Sequence, residues 1–145
     1  MPKLALYQPE IAANLGAIIR SAACFGAELH VIEPCGFPWR EREIGKAALD
    51  YQTTLVRHVD WDAFRRDVPG RLVLMTTRGS ASLYEETFTA DDIVLMGQES
   101  AGVPPHIHEA ADARIRIPLA PGARSLNVGV AAAVTLSELR RQTGW

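Results

Sequence analysis

The sequence predicts an α/β domain, a mainly parallel six-stranded sheet flanked by helices, on three observations. Short apolar strand-like runs alternate with helix-periodic segments along the whole chain. The three loops that carry more specified residues than a connection requires all begin where a strand ends, at residues 76–79, 97–102 and 119–127, and sheets of this kind bind ligands outside the carboxyl ends of their strands. Finally, 145 residues with 48% hydrophobic and 22% charged side chains suit one hydrophobic core, so residues 1–145 are expected to form a single domain.

The elements follow in order. Residues 4–7 (LALY) are a first short strand. Residues 14–25 carry Leu15, Ile18, Ile19, Ala22 and Phe25 at helical spacing, with Asn14 a suitable N-cap and Gly26 placed for a C-terminal cap. Residues 29–32 form a second strand, ended by Glu33-Pro34. The charged segment 41–49 reads as a helix, 55–59 as a third strand, and 60–67 as a short helix capped by Asp60. Residues 71–76 and 93–96 are the fourth and fifth strands, bounded by turn residues. A brief helix ending at Ala110, a sixth strand over 114–117 and a last helix over 125–141 complete the chain.

That last helix has no polar side. Leu126, Val128, Val130, Ala131, Ala132, Ala133, Val134 and Leu136 surround its axis, Gly129 permits close approach, and charge returns only at Glu138. A helix apolar all round must be buried; one face can meet the sheet, and the other most simply meets a second copy of the chain.

Composition excludes several function classes. Apolar runs are broken well before the roughly eighteen residues of a membrane span, and no signal peptide follows Met1, so a cytoplasmic protein without membrane association is expected. Cys24 and Cys35 read as core and loop thiols, and with four scattered histidines they form no metal cluster. No GxGxxG follows the first strand and no GxxxxGK[ST] occurs, which disfavours a dinucleotide fold or a P-loop. A net charge of −2 announces no nucleic-acid partner globally, so any basic footprint is local. Arg20 points opposite the apolar face of the first helix and by geometry alone is a solvated arginine.

Three segments in order, NLGAIIRSAACFGA (14–27), IVLMGQESAGVP (93–104) and IRIPLAPGARSLNVGVAAAV (115–134), resemble the motifs of the SpoU branch of the SPOUT RNA methyltransferases. The likeness spans nearly the whole chain. LYQPEIAANLG, LHVIEPCGF and the Ala-Leu-Asp-Tyr at 48–51 are similar to the TrmL subgroup, which methylates the ribose 2′-oxygen of the wobble cytidine or uridine in leucine tRNAs.

The resemblance implies a C-terminal deep trefoil knot, an exception to unknotted topology, and a homodimer packed through the first and last helices. It also implies S-adenosylmethionine held by Met75, Thr76, Gly97, Gly102, Ile117, Leu119, Ser125 and Leu126, with no metal. By the same resemblance Arg20 is the catalytic arginine, Asn14 and Asn127 orient, and Glu99 fixes its loop or a substrate group. Arg40, Arg42, Lys46, Arg57 and Arg124 are then candidates for a local RNA-binding path. The chain departs from the subgroup at Gly129-Val130, where Ser-Asn is typical, and at Ser137, where tyrosine is common. Two alternatives stay open: the same chemistry on another tRNA position or ribosomal RNA, and a non-catalytic RNA-binding dimer of this fold.

Overall fold

The computed structural model describes residues 1–145, save the side chains of 47–49. Along the chain run β1 (Lys3–Tyr7), α1 (Ala12–Cys24), β2 (Glu28–Ile32), α2 (Glu41–Asp50), β3 (Leu55–His58) and α3 (Trp61–Asp67). Then follow β4 (Leu72–Met75), β5 (Ala81–Ser82), β6 (Ile93–Met96), α4 (Pro105–Ala110), β7 (Ala113–Arg116) and α5 (Val128–Thr143). The strands pair in parallel throughout, in the order β3-β2-β1-β6-β4-β7-β5.

Alternation along the strands divides the core into two layers. Leu4 and Leu6 of β1, with Leu29 and Val31 of β2 and Val94 and Met96 of β6, face α1 and α5, where Leu15, Ile18, Ile19, Leu136 and Leu139 close the layer. Ala5 and Tyr7 point the other way, with Ile32, Leu72, Leu74, Ile93 and Leu95, onto Phe64 of α3 and Ile107 of α4. Because both faces are covered, the central strands are apolar on both sides, as buried parallel strands are. Each of the fully buried leucines and isoleucines contributes roughly 1.5–3 kcal/mol.

The helix ends follow from local chemistry. Gly26, at φ 63, ends α1: its N–H bonds the Ala23 carbonyl and that of Ala27 bonds Ala22, the paired bonds of a Schellman cap. Arg140 of α5 donates to the carbonyls of Phe25 and Gly26 at 2.6 and 2.9 Å, tying the two C-terminal ends together. Asp60 caps α3 by accepting from the Ala63 N–H at 2.8 Å, as its residue type predicts.

The structure differs from the sequence expectations in four respects. There are seven strands, not six: β5 is two residues long, too short for any periodic signal, and is held by pairing with Ile115 and Arg116. Helix α1 starts at Ala12 with Ile11 at its N-cap, so Asn14 lies inside the first turn and its side chain serves elsewhere. The last helix starts at Val128 rather than Ser125, because the Asn127 side chain bonds the N–H groups of Gly129 and Val130 and so fixes the cap there. Cys24 is exposed on α1 rather than part of the core, whereas burial and the Glu33 charge push the Cys35 thiol up to about 11.

The last helix is not buried all round within one chain. Val130 is 49% exposed, Ala131, Ala133 and Val134 are half-buried, and Glu138 is turned inward with Arg141 bonded to it. No helix among the described residues is long and apolar enough to cross a membrane.

His30 and His58 are buried side by side below Phe64, Nδ1 to Nε2 at 2.8 Å, with Glu28 2.6 Å from the other nitrogen of His30. Burial lowers both histidines from the ordinary 6.5, and Glu28 offsets part of that at His30. The unfolded chain therefore binds protons that the folded chain refuses, so this contribution is complete above about pH 6.5 and is lost as pH falls below it. The urea midpoint is expected to be lower at about pH 5.5 than at about pH 7.5, a window above most carboxylate titration; a flat midpoint would contradict the neutral pair.

Candidate active site

A cleft of about 800 Å³ opens where β4, β6 and β7 end, a volume typical of small-molecule sites. All eight residues expected to hold the cofactor line it: Met75, Thr76, Gly97, Gly102, Ile117, Leu119, Ser125 and Leu126. They come from three loops well apart in sequence, at 75–76, 97–102 and 117–126, brought together by the parallel order β6-β4-β7. The walls are apolar at Met75, Ile117, Leu119 and Leu126, while Thr76, Ser125 and the loop backbones supply polar groups.

Backbone geometry shapes the middle loop. Gln98 and Gly102 exchange backbone hydrogen bonds at 2.8 and 2.9 Å, and Gly102 takes a φ of 64. A Cβ on Gly97 would lie 2.7 Å from the Gly102 carbonyl carbon, so this turn closes only with glycine at 97. Gly79 is under the same constraint: its Cβ would sit 2.4 Å from the backbone of Ile115.

Three orienting residues form one hydrogen-bonded chain. Asn127 accepts from Gly129 and Val130 through Oδ1 and donates through Nδ2 to Asn14 Oδ1 at 3.1 Å. Asn14 in turn donates to Glu99 Oε1 at 3.1 Å. The three motifs thus meet at one edge of the cleft, which Asn14, Glu99 and Asn127 all line.

Glu10, which no local sequence pattern marks, completes the arrangement. Its carboxylate accepts from the Ser100 backbone N–H and hydroxyl at 2.9 Å, 90 residues away, and those bonds hold its pKa below the usual carboxylate value. Gln98 reaches back to the Gln8 carbonyl at 3.3 Å, so the segment after β1 grips the loop after β6 at two points. Arg78 also lines the cleft, beside the expected Arg124.

The other expected cations stand apart from the cleft. Arg20 is exposed on the outer stripe of α1 with Ala13, Ala17 and Cys24, its guanidinium 5.2 Å from the Tyr51 ring centroid. Arg40 lies 3.8 Å from Glu43, and Arg42 and Lys46 are exposed one turn apart on α2. Arg57 has a different occupation from the one expected. It pairs with Glu33 and Glu41 at 2.5 and 2.9 Å and stacks on Trp39 at 4.2 Å, and the hydrogen bond it donates to Glu33 raises its pKa. Its charge is matched within the chain, and it fastens α2 to the ends of β2 and β3.

Replacing Asn127 by Ala removes both the α5 cap and the bond to Asn14. Stability should fall by about 1–2 kcal/mol, the upper part of the range for lost caps, read as a lower urea midpoint at unchanged slope. An unaltered midpoint would show that the cap does not hold the helix start.

Comparison with known proteins agrees with this geometry. The tRNA (cytidine(34)-2'-O)-methyltransferase of Ancylobacter novellus is 51% identical over 97% of this chain and 92% of its own length. The enzyme of that name from Escherichia coli K12 is 39% identical, covering 100% of this chain and 96% of its own. A solved structure concerned with the 2-OH methylation of C/U34 on tRNA superposes with a TM-score of 0.90 at 39% identity, covering 98% of this chain and 95% of its own. A SpoU methyltransferase from Streptomyces viridochromogenes, solved in complex with the cofactor AdoMet, superposes at 0.83 with 27% identity, over 97% of this chain and 57% of its own. The SpoU rRNA Methylase family model matches residues 1–137, and the chain belongs to that family.

Proposed function

We propose that this chain is an S-adenosylmethionine-dependent tRNA 2'-O-methyltransferase acting on the ribose of cytidine or uridine 34, leucine tRNAs being the substrates. The observation that carries the reading is the convergence of three separated loops on one cleft whose edge is the Asn14, Glu99 and Asn127 chain. The relatives named for this reaction, alike over nearly their full length, support the position on tRNA.

The cleft suits the cofactor. Apolar side chains at Met75, Ile117, Leu119 and Leu126 offer a slot for an adenine ring, and the glycine-closed loop at 97–102 lets backbone groups approach closely. When bound, S-adenosylmethionine supplies a methyl group activated by its sulfonium. A neutral thioether leaves in that displacement, so the reaction requires no metal to stabilise the leaving group.

What the chain must add is alignment of the ribose oxygen, which is worth on the order of 7–11 kcal/mol when near ideal. The role assigned to Arg20 is to hold the phosphate and the 2′-hydroxyl through the fork of its N–H groups. Asn127 and Asn14 hold Glu99 and with it the wall of the cleft.

Arg20 lies outside the cleft of its own chain, and the reading therefore includes a second copy. The stripe Ala13, Ala17, Val130 and Val134 on the paired helices α1 and α5 is small, apolar and incompletely covered, and a homodimer through it brings Arg20 of one protomer toward the cleft of its partner. The remaining parts of the proposal are a single domain over 1–145, a cytoplasmic location and a knotted C-terminal segment. Insertion of β7 between β4 and β5, with Gly79 pressed on Ile115, supports the knot.

Mass spectrometry of leucine tRNA anticodon fragments, after incubation with protein and cofactor, tests the function. A gain of one methyl on the ribose of nucleotide 34, abolished by Arg20→Ala with cofactor binding retained in calorimetry, is the expected result. A methyl at another nucleotide would move the substrate, and cofactor binding without transfer to any tRNA would favour a non-catalytic RNA binder. Replacing Arg42 and Lys46 together by Ala should weaken tRNA binding several-fold and flatten its salt dependence, with cofactor affinity unchanged; intact tRNA affinity would remove α2 from the footprint.

A further inference from the structure

We propose that Tyr51 is a positioning residue that holds the Arg20 guanidinium in the pose from which it meets the RNA. The inference rests on the reading of Arg20 as the catalytic arginine.

The two arginines that lie over aromatic rings beside α2 make the case by contrast. Arg57 lies over Trp39 and is also paired with Glu33 and Glu41, which matches its charge and makes it part of the scaffold. Arg20 lies over Tyr51, its Cζ 5.2 Å from the ring centroid, and takes part in none of the ion pairs of the described residues. A carboxylate beside Arg20 would fix the side chain but consume the charge and the N–H groups that a phosphate needs. An aromatic face fixes the cation from one side and leaves its donors free, because the attraction is to the ring quadrupole and uses no hydrogen bond.

The ring is itself held in place. Tyr51 follows the last residue of α2, and Gln52 turns the chain at φ 50, a left-handed backbone that non-glycine residues seldom adopt. The Thr53 hydroxyl then donates to the carbonyl of Ile19 at 3.1 Å, one residue before Arg20. The turn is thus fastened to α1 at the point where Tyr51 reaches the arginine. Tyr51 remains 40% exposed, so its ring lies at the surface where Arg20 is also exposed.

The test combines two readouts on the full-length protein. The first is the order parameter of the Arg20 Nε–H bond from nitrogen-15 relaxation. The second is the single-turnover rate of methyl transfer at saturating tRNA and cofactor, with tRNA affinity measured separately. Tyr51→Leu is expected to lower the order parameter and to slow transfer roughly two- to five-fold, the effect of losing an exposed cation–π contact, with tRNA affinity unchanged. Tyr51→Phe, which keeps the ring face, restores both. Thr53→Val, which frees the turn without touching the ring, shifts both in the direction of Tyr51→Leu.

An unchanged order parameter or an unchanged rate in Tyr51→Leu overturns the proposal. So does a loss confined to tRNA affinity, which would mean that the ring touches RNA instead. An Arg20→Ala protein that transfers methyl groups at the normal rate would overturn the catalytic reading of Arg20, whatever the order parameters show.

Discussion

The Asn127 side chain joins three parts of the molecule that the chain order keeps apart. Its oxygen closes the start of α5, and its amide reaches Asn14 in α1, which carries the connection on to Glu99 in the loop after β6. A single amide can do this because it has an acceptor and a donor at opposite sides of one rigid plane. The position of α5 on the sheet, the wall of the cleft and the first turn of α1 therefore depend on the same short run of hydrogen bonds. The close packing of Gly129 against Ile18 and Ala17 lets the helices approach near enough for the run to form.

Strand order places the cleft at that junction. From β1 the sheet extends to β2 and β3 on one side, and to β6, β4, β7 and β5 on the other. The loops leaving β4, β6 and β7 consequently emerge side by side at the carboxyl end of the sheet, where backbone groups and small residues of all three face one space. Glycine is required at 79 and 97 because backbone passes within van der Waals distance of backbone there, that of Ile115 on the neighbouring strand at 79 and that of Gly102 across the same turn at 97.

Charge is distributed according to role. Arg57, Arg140 and Arg71 are spent within the chain: on Glu33 and Glu41, on the carbonyls that end α1, and on Asp92 with Glu86. Arg20, Arg42 and Lys46 remain exposed on α1 and α2, and Arg78 and Arg124 stand at the cleft. An acidic total charge is thus compatible with local basic ground, since Arg78 and Arg124 stand at the cleft and neither they nor Arg20, Arg42 and Lys46 enter an ion pair among the described residues.

Local sequence determined what local physics decides. The strand and helix alternation, the Asp60 cap, the Gly26 cap and the core faces of α1 were all legible, because hydrophobic period and cap chemistry act within a few residues. The three over-specified loops do border one cleft, and they were visible because glycine and polar groups beyond what a connection needs stand out against apolar strands. Tertiary structure alone decided the pairing of Glu10 with Ser100, the employment of Asn14 away from its own helix start, the fate of Arg57 and the two-residue strand β5. Each depends on a partner 16 to 113 residues away or on an edge of the sheet, and no period or propensity carries information over such separations; only the folded packing of α1, α5 and the sheet brings those groups within bonding distance.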